Sequence, residues 1–235
     1  MTKICTICAR GGSKGVKNKN LRELLGKPLI AHSILQAKES KIFDVIAVSS
    51  DSDEILSVAK QFGADYIIKR PDELATDTAA KVPVMQHCVR EVEKLTNLTF
   101  DIITDIDATS PLRTVEDLKS AVQKLEKHEF AKNLITAAPA RRSPYFNLVE
   151  ETADGYVQLS KPLSTTIVRR QDVPKSYDMN ASIYVWKRES FFEGQSVFTE
   201  STLLYVMPEE RSQDIDSELD FEIVQLLAEK RGTLH

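Results

Sequence analysis

Cysteine is scarce. The three present, Cys5, Cys8 and Cys88, cannot all pair, which excludes a disulfide framework. Cys5 and Cys8 have C-x-x-C spacing, but no second cysteine pair accompanies them and Cys5 falls inside an apolar run. Buried, reduced thiols are expected rather than a metal or redox site. No apolar run reaches membrane-spanning length, and no secretory leader opens the chain, so the expected setting is cytoplasmic with no membrane partner. A basic excess is also missing: 31 Lys and Arg against 35 Asp and Glu leave a net charge of -4. That balance argues against a dedicated nucleic-acid binder. There is no internal repeat and no low-complexity tract. A nucleophilic triad is not in evidence either. None of His32, His87, His128 and His235 lies in a Ser-, Cys- or Asp-rich loop at a strand end, so none is expected to be catalytic.

What is present is a chain of 235 residues, 42% of them apolar, enough for one large α/β domain or one domain with an insertion. Short apolar runs alternate with amphipathic stretches. Strands are expected near residues 4–9, 45–49, 64–69, 102–106 and 134–139, with helices near 28–38, 52–62, 81–94 and 115–129. This rhythm predicts an α/β fold, a mostly parallel sheet with helices on both faces. Ligands bind such sheets beyond the carboxyl ends of the strands. From about 141 to 177 the rhythm changes. The segment is polar and proline-containing, with Leu148, Val149, Tyr156, Val157 and Leu159 suggesting one or two antiparallel strands. It reads as an insertion, either a lid or an oligomer contact, within a single domain spanning residues 1–235. Regular structure resumes near 181–186 and 203–207 and ends in an amphipathic helix near 218–230.

The most informative segment is the loop after the first strand, Arg10-Gly11-Gly12-Ser13-Lys14-Gly15-Val16-Lys17-Asn18-Lys19-Asn20. Three glycines in five residues let the backbone turn tightly and approach a ligand. Arg10, Lys14, Lys17 and Lys19 supply cations; Ser13 and Asn20 add neutral donors. A guanidinium fork, ammonium groups and free backbone N–H groups suit a polyphosphate. Neither the P-loop frame nor a G-x-G-x-x-G fingerprint is present. A solvated basic turn is the plainer alternative.

Four further clusters lie near strand ends. In Asp214-Ile215-Asp216-Ser217-Glu218-Leu219-Asp220, two acids alternate around an apolar residue. On one face they suit Mg²⁺, which takes one or two carboxylates plus substrate phosphates; helix capping by Asp216 or Ser217 is the other reading, and the two are compatible. Arg70 at a strand end could reach a phosphate or a base, with Thr76 and Thr78 nearby. Asp107 suits a hydroxyl, amide or ribose. Arg169 and Arg170, with Asn180 further on, suit a carboxylate through paired hydrogen bonds, or form a solvated basic edge.

Taken together these segments resemble the acylneuraminate cytidylyltransferases, the CMP-sialic acid synthetase family. The resemblance rests on Ala9 to Gly15 with Lys19-Asn20, on Arg70-Pro71 through Thr78, on Thr109-Ser110-Pro111-Leu112-Arg113-Thr114, on Asn180 with Ile183-Tyr184, and on Asp214 to Asp220. These occur in the family's order and cover nearly the whole chain. The resemblance implies a Rossmann-like sheet of nucleotidyltransferase type and a homodimer, with residues 141–177 exchanged across the interface. It implies a reaction in which CTP and a nonulosonic acid give CMP-sugar and pyrophosphate. Arg10, Gly11, Gly12, Ser13, Lys14, Lys19, Asn20, Arg70, Thr76 and Thr78 would bind CTP. Asp214 and Asp216 would hold Mg²⁺ and, with Arg10, Lys14 and Lys19, carry catalysis. Asp107, Arg170, Asn180 and Tyr184 would face the sugar. Where the neuraminate-specific enzymes carry Gln, this chain has Asp107, and Met179 stands where Pro is typical. Residues 139–150 and 177–184 look most like the bacterial CMP-legionaminate synthases, implying an N,N'-diacetyllegionaminate-type substrate. Neuraminate, pseudaminate or octulosonate, another nucleotide base, and a nucleotide-sensing module on the same fold are the alternatives.

Overall fold

In the computed structural model, residues 1–12, 15–76, 78–163, 169 and 172–232 are described. The chain opens with β1 (Lys3–Cys8), followed after the glycine loop by a short hairpin of β2 (Glu23–Leu24) and β3 (Lys27–Pro28). Then come α1 (Leu29–Ser40), β4 (Val45–Ser50), α2 (Asp53–Gln61), β5 (Tyr66–Lys69) and α3 (Lys81–Thr96). The alternation continues through β6 (Ile102–Ile106), α4 (Val115–Glu126) and β7 (Asn133–Pro139). A second hairpin, β8 (Val149–Glu151) and β9 (Val157–Leu159), precedes β10 (Tyr177–Lys187), α5 (Arg188–Glu193), β11 (Thr202–Val206) and α6 (Glu218–Arg231).

Seven strands form one sheet in the order β11-β7-β10-β6-β1-β4-β5. All run parallel except β10, which is antiparallel to both β6 and β7. A sheet buried on both faces needs apolar residues in both phases of the strand. In β4, accordingly, all six residues are buried. Cys5 and Ile7 of β1 join one core with Ile30, Ile34 and Leu118, beneath α1 and α4. Ile4 joins the other with Met85, Cys88, Val89 and Trp186, against α3. The two faces separate the C-x-x-C cysteines: Cys5 packs in the first core, and Cys8 lies against the second beside Cys88. Burial pushes the Cys5 thiol up. At Cys8 a hydrogen bond with Cys88 and then burial do the same, so both stay protonated, and all three cysteines are free.

The sheet order reverses direction at β1, whose neighbours are β4 on one side and β6 on the other. A crevice opens at such a switch point, outside the carboxyl ends of the strands. A third core closes one end of it, with Val16, Leu24, Leu29, Ile215 and Phe221 packed together.

The expected alternation of strands and helices is observed, with shifted ends. Helix α3 runs on to Thr96 and tolerates Pro83 because it falls in the first turn, where an amide N–H has no partner to lose. The strand expected near 181–186 begins earlier, at Tyr177, and carries a register shift between Met179 and Tyr184 with Ala181 at φ 51°. The antiparallel strands suggested by Val149 and Val157 are β8 and β9, with Val149 opposite Leu159. His32 is fully buried and its Nε2 hydrogen-bonds the Leu24 carbonyl at 2.8 Å, a core role. No helix of the described residues is long and apolar enough to cross a membrane.

Candidate functional site

The crevice holds a cavity of about 520 Å³. Four chain segments wall it, and each brings residues singled out by the sequence. Arg10, Gly15, Lys19 and Asn20 come from the glycine loop after β1; Arg70 and Thr76 come from the segment after β5. Asp107 follows β6, and Asp214 and Asp216 precede α6. Residues separated by some two hundred positions therefore meet at one place.

The glycine loop is held by local chemistry. The Gly11 amide donates to Asp51 Oδ1 at 2.9 Å, and a Cβ at Gly11 would meet Ser52 Cβ at 3.0 Å. Asn20 is buried and donates through Nδ2 to the Arg10 carbonyl at 3.1 Å, which fixes the turn's exit. A Cβ at Gly15 would lie 1.9 Å from the Asp216 carbonyl oxygen. Only glycine lets the loop pass that close to the acidic turn. Gly12 has nothing within 4 Å of its Cβ position, so its open side is toward solvent space.

Lys19 joins the two loops. Its ammonium donates to the Ile215 carbonyl and sits 3.2 Å from Asp216 Oδ1. Ile215 is fully buried in the third core, and the acids on either side of it both reach the cavity. Asp214 Oδ1 accepts from its neighbour's amide at 2.9 Å and from Ser110 Oγ at 3.5 Å. Burial, and then the nearby Asp107 carboxylate, push Asp214 above the usual carboxylate range. The capping reading holds alongside: Ser217 Oγ accepts from the Asp220 amide in a reciprocal capping box.

Arg70 is buried, with Nη2 donating to the Ser49 carbonyl at 3.0 Å. Thr76 and Thr78 are exposed and their hydroxyls lie 3.3 Å apart; Thr76 reaches the cavity wall. Ser13, Lys14 and Arg170 lie outside the described residues.

Two of the residues expected to face the sugar, Asn180 and Tyr184, are buried and carry contacts of their own. Asn180 is buried, and its side chain is fully engaged behind the acidic turn. Its Oδ1 accepts from Thr136 Oγ1 at 2.7 Å, while Nδ2 donates to Ser212 Oγ at 2.9 Å and approaches Met207 Sδ. These bonds brace the turn that carries Asp214. Tyr184 is 3% exposed, stacks on Trp186 with ring centroids 5.6 Å apart, and lies beneath the ammonium of Lys81. Burial pushes its phenol up to about 12, so it stays neutral.

Lys81, at the first turn of α3, is the residue that sequence reasoning missed. Its Nζ lies 3.0 Å from Asp105 Oδ2 and 3.0 Å from Asp107 Oδ2, at the cavity wall. Burial opposes its charge, but Asp105, Asp107 and Tyr184 outweigh that and hold it protonated well above the usual lysine range. Asp107 in turn pays for burial but is held below the usual range by Lys81 and by hydrogen bonds from Thr109. The available signal was the pair Asp105 and Asp107 at an apolar strand's end, which needs a counter-ion; nothing in the spacing pointed to Lys81. Arg113 is also fully buried, and from Nη1 it donates to the Asp107 and Ser110 carbonyls, each at 3.0 Å. It shapes the loop that presents Asp107.

The cavity thus has cations on the β1 and β5 side and carboxylates on the β6 and α6 side. By its chemistry such an arrangement would suit a polyphosphate. The family model described as "Cytidylyltransferase" matches residues 4–221. Over 224 residues the chain is 50% identical to CMP-N,N'-diacetyllegionaminic acid synthase of Campylobacter jejuni, across 95% of this chain and 94% of that protein. It is 49% identical over 229 residues to post-translational flagellin modification protein B of Campylobacter coli, covering 97% and 96% of the two chains. Among solved structures, CMP:2-keto-3-deoxy-manno-octonic acid synthetase complexed with CTP superposes with a TM-score of 0.68 over 98% of this chain and 100% of that one. At 17% identity that likeness shows the shared fold. By the extent of the family match and the identity to these relatives, the chain belongs to the cytidylyltransferase family.

Proposed function

We propose that the protein activates a nonulosonic acid, N,N'-diacetyllegionaminate, with CTP to give the CMP-sugar and pyrophosphate. The observation that carries this reading is the contact of the glycine loop with the acidic turn at Gly15 and Lys19, which sets cations and carboxylates around one cavity. The 50% identical relative, named for that product, supports the choice of sugar. Arg10, Lys19, Asn20 and Arg70 would hold the triphosphate, with Ser13 and Lys14 completing the loop's donor set. The anomeric C2 hydroxyl attacks the α-phosphorus, the bond to the β-phosphate oxygen breaks, and the hydroxyl proton is released. Charge grows on the α-phosphoryl oxygens and on the leaving pyrophosphate, where preorganised cations lower the barrier. Arg170 would take the sugar's carboxylate.

The donor set fits Mg²⁺. Asp214 and Asp216 are two hard oxygen donors, and the upward push on Asp214 is what a cation would relieve. When bound there, the ion supplies charge neutralisation at the reacting phosphates. A homodimer built on the hairpin β8–β9 belongs to the same proposal, as does a cytoplasmic setting, which the free cysteines support.

The test is pyrophosphate release from CTP with legionaminate, neuraminate, pseudaminate and octulosonate in parallel. Preference for legionaminate, lost on chelation and restored by Mg²⁺, is the expected result. Pseudaminate is the second reading, favoured by a relative named pseudaminic acid cytidylyltransferase at 33% identity over 231 residues. Silence with every sugar would overturn the enzymatic reading.

A further inference from the structure

The proposed reaction leaves one buried charge cluster unexplained. Asp105 sits in β6 with its side chain 1% exposed; its Oδ1 accepts from Thr6 Oγ1 at 2.7 Å and its Oδ2 pairs with Lys81. Asp107, two residues on, shares the same ammonium. Its Oδ1 is taken by the Thr109 amide at 3.3 Å and the Thr109 hydroxyl at 3.0 Å. One lysine therefore serves two carboxylates, and Asp107, which lines the cavity, keeps further acceptor capacity only at Oδ2, beside its bond from Lys81.

The position decides what meets it. The triphosphate belongs with Arg10, Lys19 and Arg70, and unneutralised carboxylates would repel it. The β6 wall is left for the second substrate, itself an acid. Without Lys81, Asp105 and Asp107 would place two negative charges beside that acid. Asp107 would then be relieved by taking up a proton, and a protonated carboxyl offers a donor where an ionised one offers only acceptors.

We propose that Lys81 is a specificity-determining positioning residue: by neutralising Asp105 and fixing Asp107 Oδ2 as an acceptor, it selects a sugar acid bearing an acylamido N–H. The inference rests on the reaction proposed above and names the group of the sugar that the β6 wall reads.

The experiment compares wild type with Lys81→Met and with the double variant K81M/D105N, which also removes the buried carboxylate that Lys81→Met would strand. Calorimetric binding of CTP is measured first. Then kcat and KM are taken for diacetyllegionaminate and for 3-deoxy-octulosonate, which has no acylamido group. The expected result is CTP affinity within about twofold of wild type in the double variant. KM for legionaminate rises about tenfold or more with a smaller change in kcat, and the preference over octulosonate narrows by about the same factor. A double variant with wild-type KM and preference shows Lys81 to be a buried counter-ion only and overturns the proposal. Equal loss with both sugars overturns it as well. A wild type that binds CTP yet turns over neither sugar brings down the proposed reaction and this inference with it, a result distinct from failure of the inference alone.

Discussion

At Gly15 a missing side chain determines whether two loops can touch. A methyl group there would meet backbone, not a flexible side-chain end, at 1.9 Å from the Asp216 carbonyl oxygen and 3.1 Å from its carbon. Gly15→Ala must therefore move either the glycine loop or the acidic turn. A displacement of about 1 Å in a positioning element costs on the order of 10²-fold in rate. Both loops lie at the surface, so the expected outcome is a kcat/KM loss of about that size with a melting temperature near wild type. Unchanged activity would mean that the contact does not set the site. Much at this scale was legible from sequence, because glycine, lysine and aspartate cluster in short loops that follow apolar strands. Asp107 and Arg70 were legible for the same reason, standing at strand ends. Asn180 was placed at the right end of the sheet, but its internal partners were not legible. Only the fold shows that Thr136, Ser212 and Met207 occupy its amide. Lys81 was illegible: a lysine opening an amphipathic helix reads as solvated until β6 brings two carboxylates beneath it.

Helix starts were the most readable elements, and α4 carries a consequence for stability. Thr114 caps it, and Asp117 Oδ2 in turn accepts from the Thr114 amide at 2.9 Å. Asp117 also receives Arg211 from two nitrogens, both at 2.8 Å, and so ties α4 to the segment that leads into Asp214. Burial raises Asp117, but hydrogen bonds from Arg211 and Thr114 outweigh it and hold the carboxyl below its ordinary range. A depressed folded value means that the stabilisation is fully present above the unfolded value of about 3.9 and is lost as pH falls through the folded one. Asp117→Asn should cost about 2 kcal/mol at pH 7, allowing for the part-exposed Arg211. The gap to wild type, read by denaturant unfolding, should close progressively below about pH 4. A gap independent of pH would show that the loss comes from packing. Nothing in the sequence linked Asp117 to Arg211, since the pair forms only after β7, β10 and β11 are in place. The bulge in β10 was hidden for a similar reason: Ala181 gives no local sign of positive φ.

For the whole molecule, the alternating rhythm sufficed for a mostly parallel sheet, and the switch point at β1 then dictates where a ligand must bind. The rhythm could not disclose the strand order, because pairing is set by long-range packing and not by local pattern. The hairpin β8–β9 stands apart from that sheet. Its pairing puts Val149 opposite Leu159 and Glu151 opposite Val157, so Val149, Val157 and Leu159 share one face with Glu151 at its end. Val149 is 53% and Val157 68% exposed, and Phe146, Leu148 and Tyr156 are exposed close by in sequence. A two-stranded hairpin is marginal by itself, and a clustered apolar face of this kind is better satisfied by a second copy than by water. If the proposed homodimer uses it, a 26.4 kDa chain should behave in solution as twice that mass. V149D/V157D should return it to the mass of one chain. The substituted side chains are already exposed in the single chain, so the separated protein should keep its fold, its circular dichroism spectrum and its affinity for CTP, whose binding groups lie on the sheet side. Light scattering after gel filtration reads the mass directly. A wild-type chain that runs as a monomer at all concentrations removes the dimer from the proposal, while a double variant that remains dimeric moves the interface away from the hairpin.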